Sequence, residues 1–320
     1  YLKKEKIMLA KDRSFSDLLL KRVEIAELLG ISETAIHRWI KNRDISFENK
    51  EKKYYGYESI RFVLDRRRNK FKINSKIQVF ANIKGGVGKS TLASQYAMLS
   101  SLRGLKVLAI DLDAQAHLTD QLFRHEKKDF KTIYDVFIDN EPIKNVIQPV
   151  SKTLDIIPSS LKNGLFELTK PKNGFIFEEY LSSVKDDYDL IIIDTNPTIS
   201  ELNRGACLAS DLITIISSTD YNSYSGLEIM LNFIVDISKS CGLKKKTVIV
   251  PNLYDIRDGK CSRALGAMHD NYNQFLTNSI VRKNTTLSDA SEQKNSIYLI
   301  KKNSHGAQDI IQLTDELYTK

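Results

Sequence analysis

Cysteine is scarce in this chain of 320 residues: Cys207, Cys241 and Cys261, an odd number with no C-x-x-C pair. That argues against a disulfide framework and against a cysteine-bound zinc or iron–sulfur site, and it fits a reducing cytosol. An electron carrier built on a cluster is disfavoured for the same reason. Long apolar runs are missing too. No stretch approaches the roughly eighteen residues of a membrane span. The opening residues, YLKKEKIMLAKDRS, lack the apolar core of a secretory signal. The closing stretch, AQDIIQLTDELYTK, carries Asp309, Asp315 and Glu316 with little positive charge, unlike a basic helix that lies on anionic lipid. Internal repeats and low-complexity tracts are absent as well. A cytoplasmic protein with no membrane partner is the expectation.

Apolar residues make up 42% of the chain, enough for a sizeable core. The formal charge is +8, and it is unevenly spread. Residues 1–76 hold 20 Lys and Arg against 11 Asp and Glu, and residues 77–320 hold 28 against 29. The whole excess therefore lies in the first quarter. A solvated basic surface would account for it; concentration in one small segment favours a polyanion, most simply DNA.

From Ile77 onward, IQVFANI, KVLAIDLD, DLIIIDTNP, DLITIISS and KTVIVPNL are nearly continuous apolar runs with helical stretches between them. That pattern predicts buried parallel strands with crossover helices, and such sheets collect functional groups at the C-terminal ends of their strands. The first quarter reads differently. VEIAELLG is a short amphipathic helix ending in glycine, and ISETAIHRWIKN is a second one with Ser32 as N-cap and Ala35, Ile36, Trp39 and Ile40 on one face. Helix, glycine turn and capped helix form a helix-turn-helix pattern. FENKEKKYYGY predicts a hairpin or wing, ESIRFVLDRRR another helix, and RRRNKFKINSK a charged linker. The expected division is a leading helix over 1–20, a small mostly α, winged helix-turn-helix domain over 21–75, and an α/β domain over 76–320.

ANIKGGVGKSTLASQYA, residues 81–97, reads as a phosphate-binding loop running into a helix, with Lys89 for the β- and γ-phosphates and Ser90 for Mg²⁺. Ile83 replaces the usual first glycine, and an extra lysine, Lys84, precedes the loop. Asp194 ends LIIID; Asp111 and Asp113 end VLAIDLD. Each carboxylate alone could cap a helix or sit solvated in a loop. Three of them ending two parallel strands beside a phosphate loop suit a metal and an activated water: Asp194 and Asp111 for Mg²⁺, Asp113 for the attacking water.

KGGVGKST, DLDAQAHLT and YDLIIIDTNPT together resemble the deviant-Walker ATPases, specifically the ParA partition proteins, from about Ile77 to the C-terminus. The resemblance implies a P-loop NTPase with a mainly parallel twisted sheet flanked by helices. Lys84, Gly85, Gly86, Val87, Gly88, Lys89, Ser90 and Thr91 would hold ATP or ADP. It further implies a homodimer that sandwiches two ATP molecules, with Lys84 reaching the partner's nucleotide, and hydrolysis stimulated by a centromere-bound ParB-class protein. The chain departs from the family's DTPP with Asn196 in the first proline position, and from DPQ with Ala114. By the same resemblance the ATP-bound dimer binds DNA without sequence preference and is nucleoid-associated. Arg257 takes that role from NLYDIRDGKCSR, followed by Arg282 and Lys283, then Lys301 and Lys302; each could instead be a solvated cation, the last two equally so.

A subgroup carried on large plasmids is similar in layout, with a helix-turn-helix domain that represses its own operon. There the leading helix, about Leu2 to Leu20, implies dimerisation of the apo protein. Ser32, Glu33, Thr34, His37 and Arg38 would face the operator, with His37 alternatively a core-edge residue. Arg66–Arg68 would touch phosphate, or form a solvated helix end. The rival reading is a nucleotide-switched transcriptional repressor with no partition role.

Overall fold

The computed structural model describes residues 14–320 except 43–45, 47, 49–52, 68–70, 124–129, 170–175 and 243. Three helices come first: α1 (Arg22–Leu29), α2 (Glu33–Lys41) and α3 (Tyr57–Asp65). Gly30 ends α1 at φ 57°, a left-handed conformation that glycine adopts without steric cost. Ser32 then caps α2 by accepting the Ala35 N–H at 3.3 Å. Ile36 is fully buried, Trp39 and Ile40 half-buried, and Trp39 meets Phe62 of α3 edge-on at 5.9 Å.

Two expectations for this region change. The first 13 residues of the leading helix lie outside the described residues, and its continuation through Ser14–Leu20 is not α-helical. Ser14 caps a short 3₁₀ turn over Phe15–Asp17, Leu18 is left-handed, and Leu20 pairs with Tyr55 as an isolated antiparallel bridge. Of the proposed wing over 47–57, residues 47 and 49–52 also lie outside the described residues. Its described end uses Leu20 as the pairing partner of Tyr55, and Glu48 N–H donates to Tyr54 O at 2.9 Å.

The rest is one seven-stranded sheet between helices. In chain order it runs β1 (Ile77–Ala81), α4 (Lys89–Leu102), β2 (Val107–Asp111), α5 (His117–Leu122), α6 (Ile133–Ile138), β3 (Gln148–Pro149), β4 (Leu154–Ile157), α7 (Phe177–Ser182) and β5 (Leu190–Asp194). Then come α8 (Glu201–Ala209), β6 (Leu212–Ser218), α9 (Tyr221–Cys241), β7 (Lys246–Asn252), α10 (Gly259–Tyr272), α11 (Thr285–Glu292), α12 (Ile297–Lys301) and α13 (His305–Thr319). Strand order is β3-β4-β2-β5-β1-β6-β7, parallel throughout except for β3 against β4. Strands β1, β2, β5 and β6 are buried at every position, as continuous apolar runs require.

α4 starts at the glycine loop and is enclosed along its length. Tyr96 packs between Phe80 of β1 (5.7 Å) and Tyr318 of α13 (5.8 Å). Its far end meets the N-terminal helices. Arg103, 2% exposed, donates from Nε to Leu28 O at 3.1 Å, pairs with Asp315 at 2.6 Å, and lies over the rings of Phe71 and Tyr318. Arg61 donates to Gly104 O at 3.1 Å and pairs with Asp189, which also accepts the Lys106 N–H. The described end of the expected linker is packed: Phe71 is buried, and Asn74 and Ser75 bond to the carbonyls of Tyr318, Thr319 and Lys320. One continuous apolar cluster joins Leu28, Ile60 and Leu64 to Leu99, Leu102 and Leu317.

Candidate functional site

The loop between β1 and α4 lies at the C-terminal end of a central strand. Gly86 and Gly88 have φ of 76° and 88°. A Cβ at Gly88 would stand 2.4 Å from Asn252 Nδ2, so a side chain there meets both strain and a clash. Asn252 holds the loop from β7 by donating to Val87 O at 2.7 Å. Asn82 braces its start, donating to Ile216 O at 2.6 Å and accepting the Lys84 N–H at 3.0 Å. Neither asparagine stands out in the sequence, because each works through a strand distant in the chain.

A cavity of about 440 Å³ opens over this loop. Gly85, Gly86, Gly88, Lys89, Ser90 and Thr91 form one wall; Asp113, Gln115, His117, Gln121 and Pro197 form the other. The backbone N–H groups at the start of α4 and the Lys89 ammonium make it a place for phosphate. Val87 is buried beneath the loop rather than lining the cavity.

Asp111 and Asp194 end adjacent strands in register and are both fully buried. Burial pushes both carboxyl pKa values up, and the Asp194 charge pushes Asp111 further. They differ in their partners. Asp111 accepts Thr119 N–H at 2.8 Å, Thr119 Oγ1–H at 2.7 Å and Asp113 N–H at 3.0 Å, so it pins the turn that follows β2. Among the described residues no donor stands in hydrogen-bond geometry to either oxygen of Asp194; the neighbouring Lys89 ammonium and Ser90 hydroxyl pull its pKa back down against the burial. A buried, unpaired carboxylate near a hydroxyl and a phosphate-binding cavity is the donor set of a hard divalent cation such as Mg²⁺. Asp113 lines the cavity at 8% exposure, with Oδ1 accepting the Gln115 N–H at 2.9 Å.

Lys84 is directed elsewhere. Its Nζ lies 2.9 Å from Asp220 Oδ1 and 2.7 Å from Ser223 Oγ, at the start of α9. Partial burial raises the Asp220 pKa, but hydrogen bonds from Ser218, Lys84 and Ser223 outweigh it and hold the carboxyl at about 2. So the two lysines of the loop are divided: Lys89 faces the cavity of its own chain, and Lys84 does not line it.

The structure brings some DNA candidates together. Tyr254 and Arg282 form a bridge, so the Arg257 loop adjoins Arg282 and Lys283. Arg257 is 85% exposed and folds back on Asp255. Lys283 is exposed. Arg282 is the exception: Nε contacts both oxygens of the buried Asp309 at 3.0 and 3.1 Å, so it is an anchored ion pair rather than a free cation. Lys301 is exposed, and Lys302 pairs with Glu27 of α1 at 2.8 Å. Ser32, Glu33, Thr34, His37 and Arg38 share the exposed side of α2, with Glu33 paired to Arg22 at 2.9 Å. Arg66 stacks on Phe62 and Trp39, and Arg67 donates to Gly30 O; Arg68 lies outside the described residues.

A family model described as an AAA domain matches residues 75–249. The chain is 30% identical over 303 residues to the cell division protein PomZ of Myxococcus xanthus, covering 92% of this chain and 91% of that protein. It is 30% identical over 250 residues to the virulence plasmid ParA family protein pGP5-D of Chlamydia psittaci, covering 77% of this chain and 95% of that one. A plasmid partition protein of Borrelia burgdorferi, solved with AMPPNP, shares the fold with a TM-score of 0.65 at 24% identity, over 77% of this chain and 99% of that one.

Proposed function

The chain belongs to the ParA family of partition ATPases, and from that premise we propose that it is an Mg²⁺-dependent ATPase whose nucleotide state switches its association with a second copy and with DNA. The observation that carries this reading is the buried Asp194 carboxylate, unpaired among the described residues, beside Lys89 and Ser90, which line the cavity. Residues Gly85–Thr91 cradle the β- and γ-phosphates of ATP through backbone N–H groups, and Lys89 neutralises them. Ser90 and Asp194 would hold Mg²⁺, with Asp111 contributing to that shell mainly by fixing the turn; when bound, the ion would supply positive charge for the phosphate oxygens. Asp113 orients the attacking water. Phosphoryl transfer needs positioned charge more than covalent chemistry, and these groups supply it.

Lys84 completes the site across a dimer. It leaves Asp220 and reaches the partner's nucleotide, as a trans-acting cation. The dimer then presents Arg257 and Lys283, with Arg282 once freed from Asp309, to duplex DNA without sequence preference. A ParB-class partner stimulates hydrolysis and release, which partitions a replicon. The exposed side of α2 supports a second mode, operator recognition by the 21–75 segment, with repression of the chain's own operon. Footprinting upstream of its gene should show a protected site; an unprotected upstream region removes this mode.

Light scattering tests the core. The wild-type chain should dimerise only with ATP and Mg²⁺, and Lys84→Ala should remain monomeric while still binding ADP. Dimerisation of Lys84→Ala at wild-type ATP concentrations would remove the trans role.

A further inference from the structure

Between Asp194 and Ser200 the chain turns from β5 into α8. The start of the turn is fixed by β1: Thr195 N–H and Oγ1–H both donate to Phe80 O, at 3.2 and 3.0 Å. The middle contains Pro197, which lines the phosphate cavity and has no N–H to offer. The carbonyls on either side of that proline are held by one group. Asn203 Nδ2 donates to Asn196 O at 3.0 Å and to Thr198 O at 2.7 Å, and it lies 2.6 Å from Asn196 Oδ1. Asn196 Oδ1 also accepts Thr198 Oγ1–H at 2.8 Å.

Asn203 is itself immobilised. It is 3% exposed, sits in the first turn of α8, and its N–H donates to the capping Ser200 Oγ at 3.2 Å. Its Oδ1 is buried with no partner among the described residues. An orphaned acceptor of that kind costs about 1–3 kcal/mol. The carboxamide nitrogen has two hydrogens for three converging acceptors, so the opposite amide orientation would set oxygen against three oxygens. Only a donor fits here, and a carboxylate of the same shape would be repelled by all three.

We propose that Asn203 is a positioning residue for the hydrolysis site: its carboxamide fixes the Asn196–Thr198 turn that follows Asp194, and with it Pro197, against the phosphate cavity. This rests on the ATPase reading. Asn203 does not line the phosphate cavity. The glycine loop and Lys89, which supply phosphate affinity, are held from other strands by Asn82 and Asn252. Loosening the turn should therefore separate affinity from rate.

The test uses the full chain and the variants Asn203→Asp and Asn196→Ala. ADP affinity is measured with Mg²⁺ and with EDTA, alongside single-turnover ATP hydrolysis and hydrogen exchange at residues 195–203. Asn203→Asp should slow hydrolysis roughly tenfold or more, since misplacement on the ångström scale has costs of that order. It should also reduce the gain in ADP affinity from Mg²⁺, speed exchange in the turn, and change affinity in EDTA less than about threefold. Asn196 is half-exposed and its removal leaves the core intact; it should shift all readouts the same way by less, and it decides the matter alone if Asn203→Asp does not fold. Rates and Mg²⁺ gain within about twofold of wild type would overturn the proposal. So would a loss of EDTA affinity equal to the loss of rate. A wild-type chain that neither binds ADP nor hydrolyses ATP would instead overturn the ATPase reading; the exchange measurement still decides whether Asn203 fixes the turn.

Discussion

Replacing Arg103 by methionine should loosen the junction between the N-terminal helices and the body. The side chain is 2% exposed, and methionine fills a similar volume without the guanidinium. Leu28 O would lose its donor, at a cost of about 1–3 kcal/mol for a buried carbonyl. Two cation–π contacts, at 5.3 Å to Phe71 and 5.4 Å to Tyr318, would go at about 0.5–1 kcal/mol each. The ion pair with Asp315 contributes little, because that carboxylate side chain is 53% exposed and water screens it. Against these losses, Arg103 Nη1 is buried without a partner among the described residues, and removing a desolvated charge returns part of the cost. The net expectation is a loss of about 2–3 kcal/mol, or a fall in Tm of roughly 3–5 °C for a chain of this size. Thermal unfolding measures the total, and limited proteolysis locates it, with faster cleavage in 66–76. Asp315→Asn is the control and should cost under about 1 kcal/mol. An unchanged or higher Tm in Arg103→Met, or equal losses in the two variants, would refute this reasoning.

Without nucleotide and metal, stability should fall as pH rises above the ordinary carboxylate range. Asp111 and Asp194 have raised pKa values in the folded chain, so the native state holds more protons than the unfolded one there, and unfolding becomes easier with each step up in pH. Denaturant midpoints between pH 4 and 8 check the slope, and ADP with Mg²⁺ should flatten it. Asp194→Asn should raise the Tm of the apo chain and abolish the Mg²⁺ effect on nucleotide affinity. Asp220 titrates in the opposite sense: its pKa is depressed to about 2, so the hold on Lys84 is full above the ordinary carboxylate value and is lost as pH falls through about 2. Asp220→Asn should free Lys84 at neutral pH, read as dimerisation at lower ATP concentration. Gly88→Ala should abolish nucleotide binding and cost at least about 1–2 kcal/mol from the left-handed backbone alone, measured by calorimetry and melting.

Much of this was legible in the sequence for a physical reason. β1, β2, β5 and β6 are buried on both faces, and β7 is buried from Val248 onward, so each shows as an apolar run, and the loop and its acids follow the central ones directly. β4 was hidden: it has four residues, and its Asp155 looks like loop polarity although Lys106 and Tyr188 satisfy it. β3 has two residues, one of them Pro149, on an antiparallel edge. The leading helix failed at Ser14–Leu20 because a capped turn and the pairing with Tyr55 outweigh helical spacing. Contacts between distant residues were beyond reach. Lys84 and Asp220 lie 136 residues apart in sequence, and nothing near Arg282 announces that Asp309 holds it. At Asn196 the side chain supplies an acceptor to Asn203, 7 residues on, in a turn that a proline would otherwise stiffen.

The central claim is that nucleotide switches this chain onto DNA. It is tested most directly by binding to random-sequence duplex with ATP, with ADP and with no nucleotide, each across a range of salt. The expected result is binding that appears only with ATP, weakens steeply with salt, and is lost in both Lys84→Ala and Lys89→Ala. Binding that ignores nucleotide, or that occurs only on a single operator, would contradict the switch and leave a repressor whose nucleotide site is a sensor.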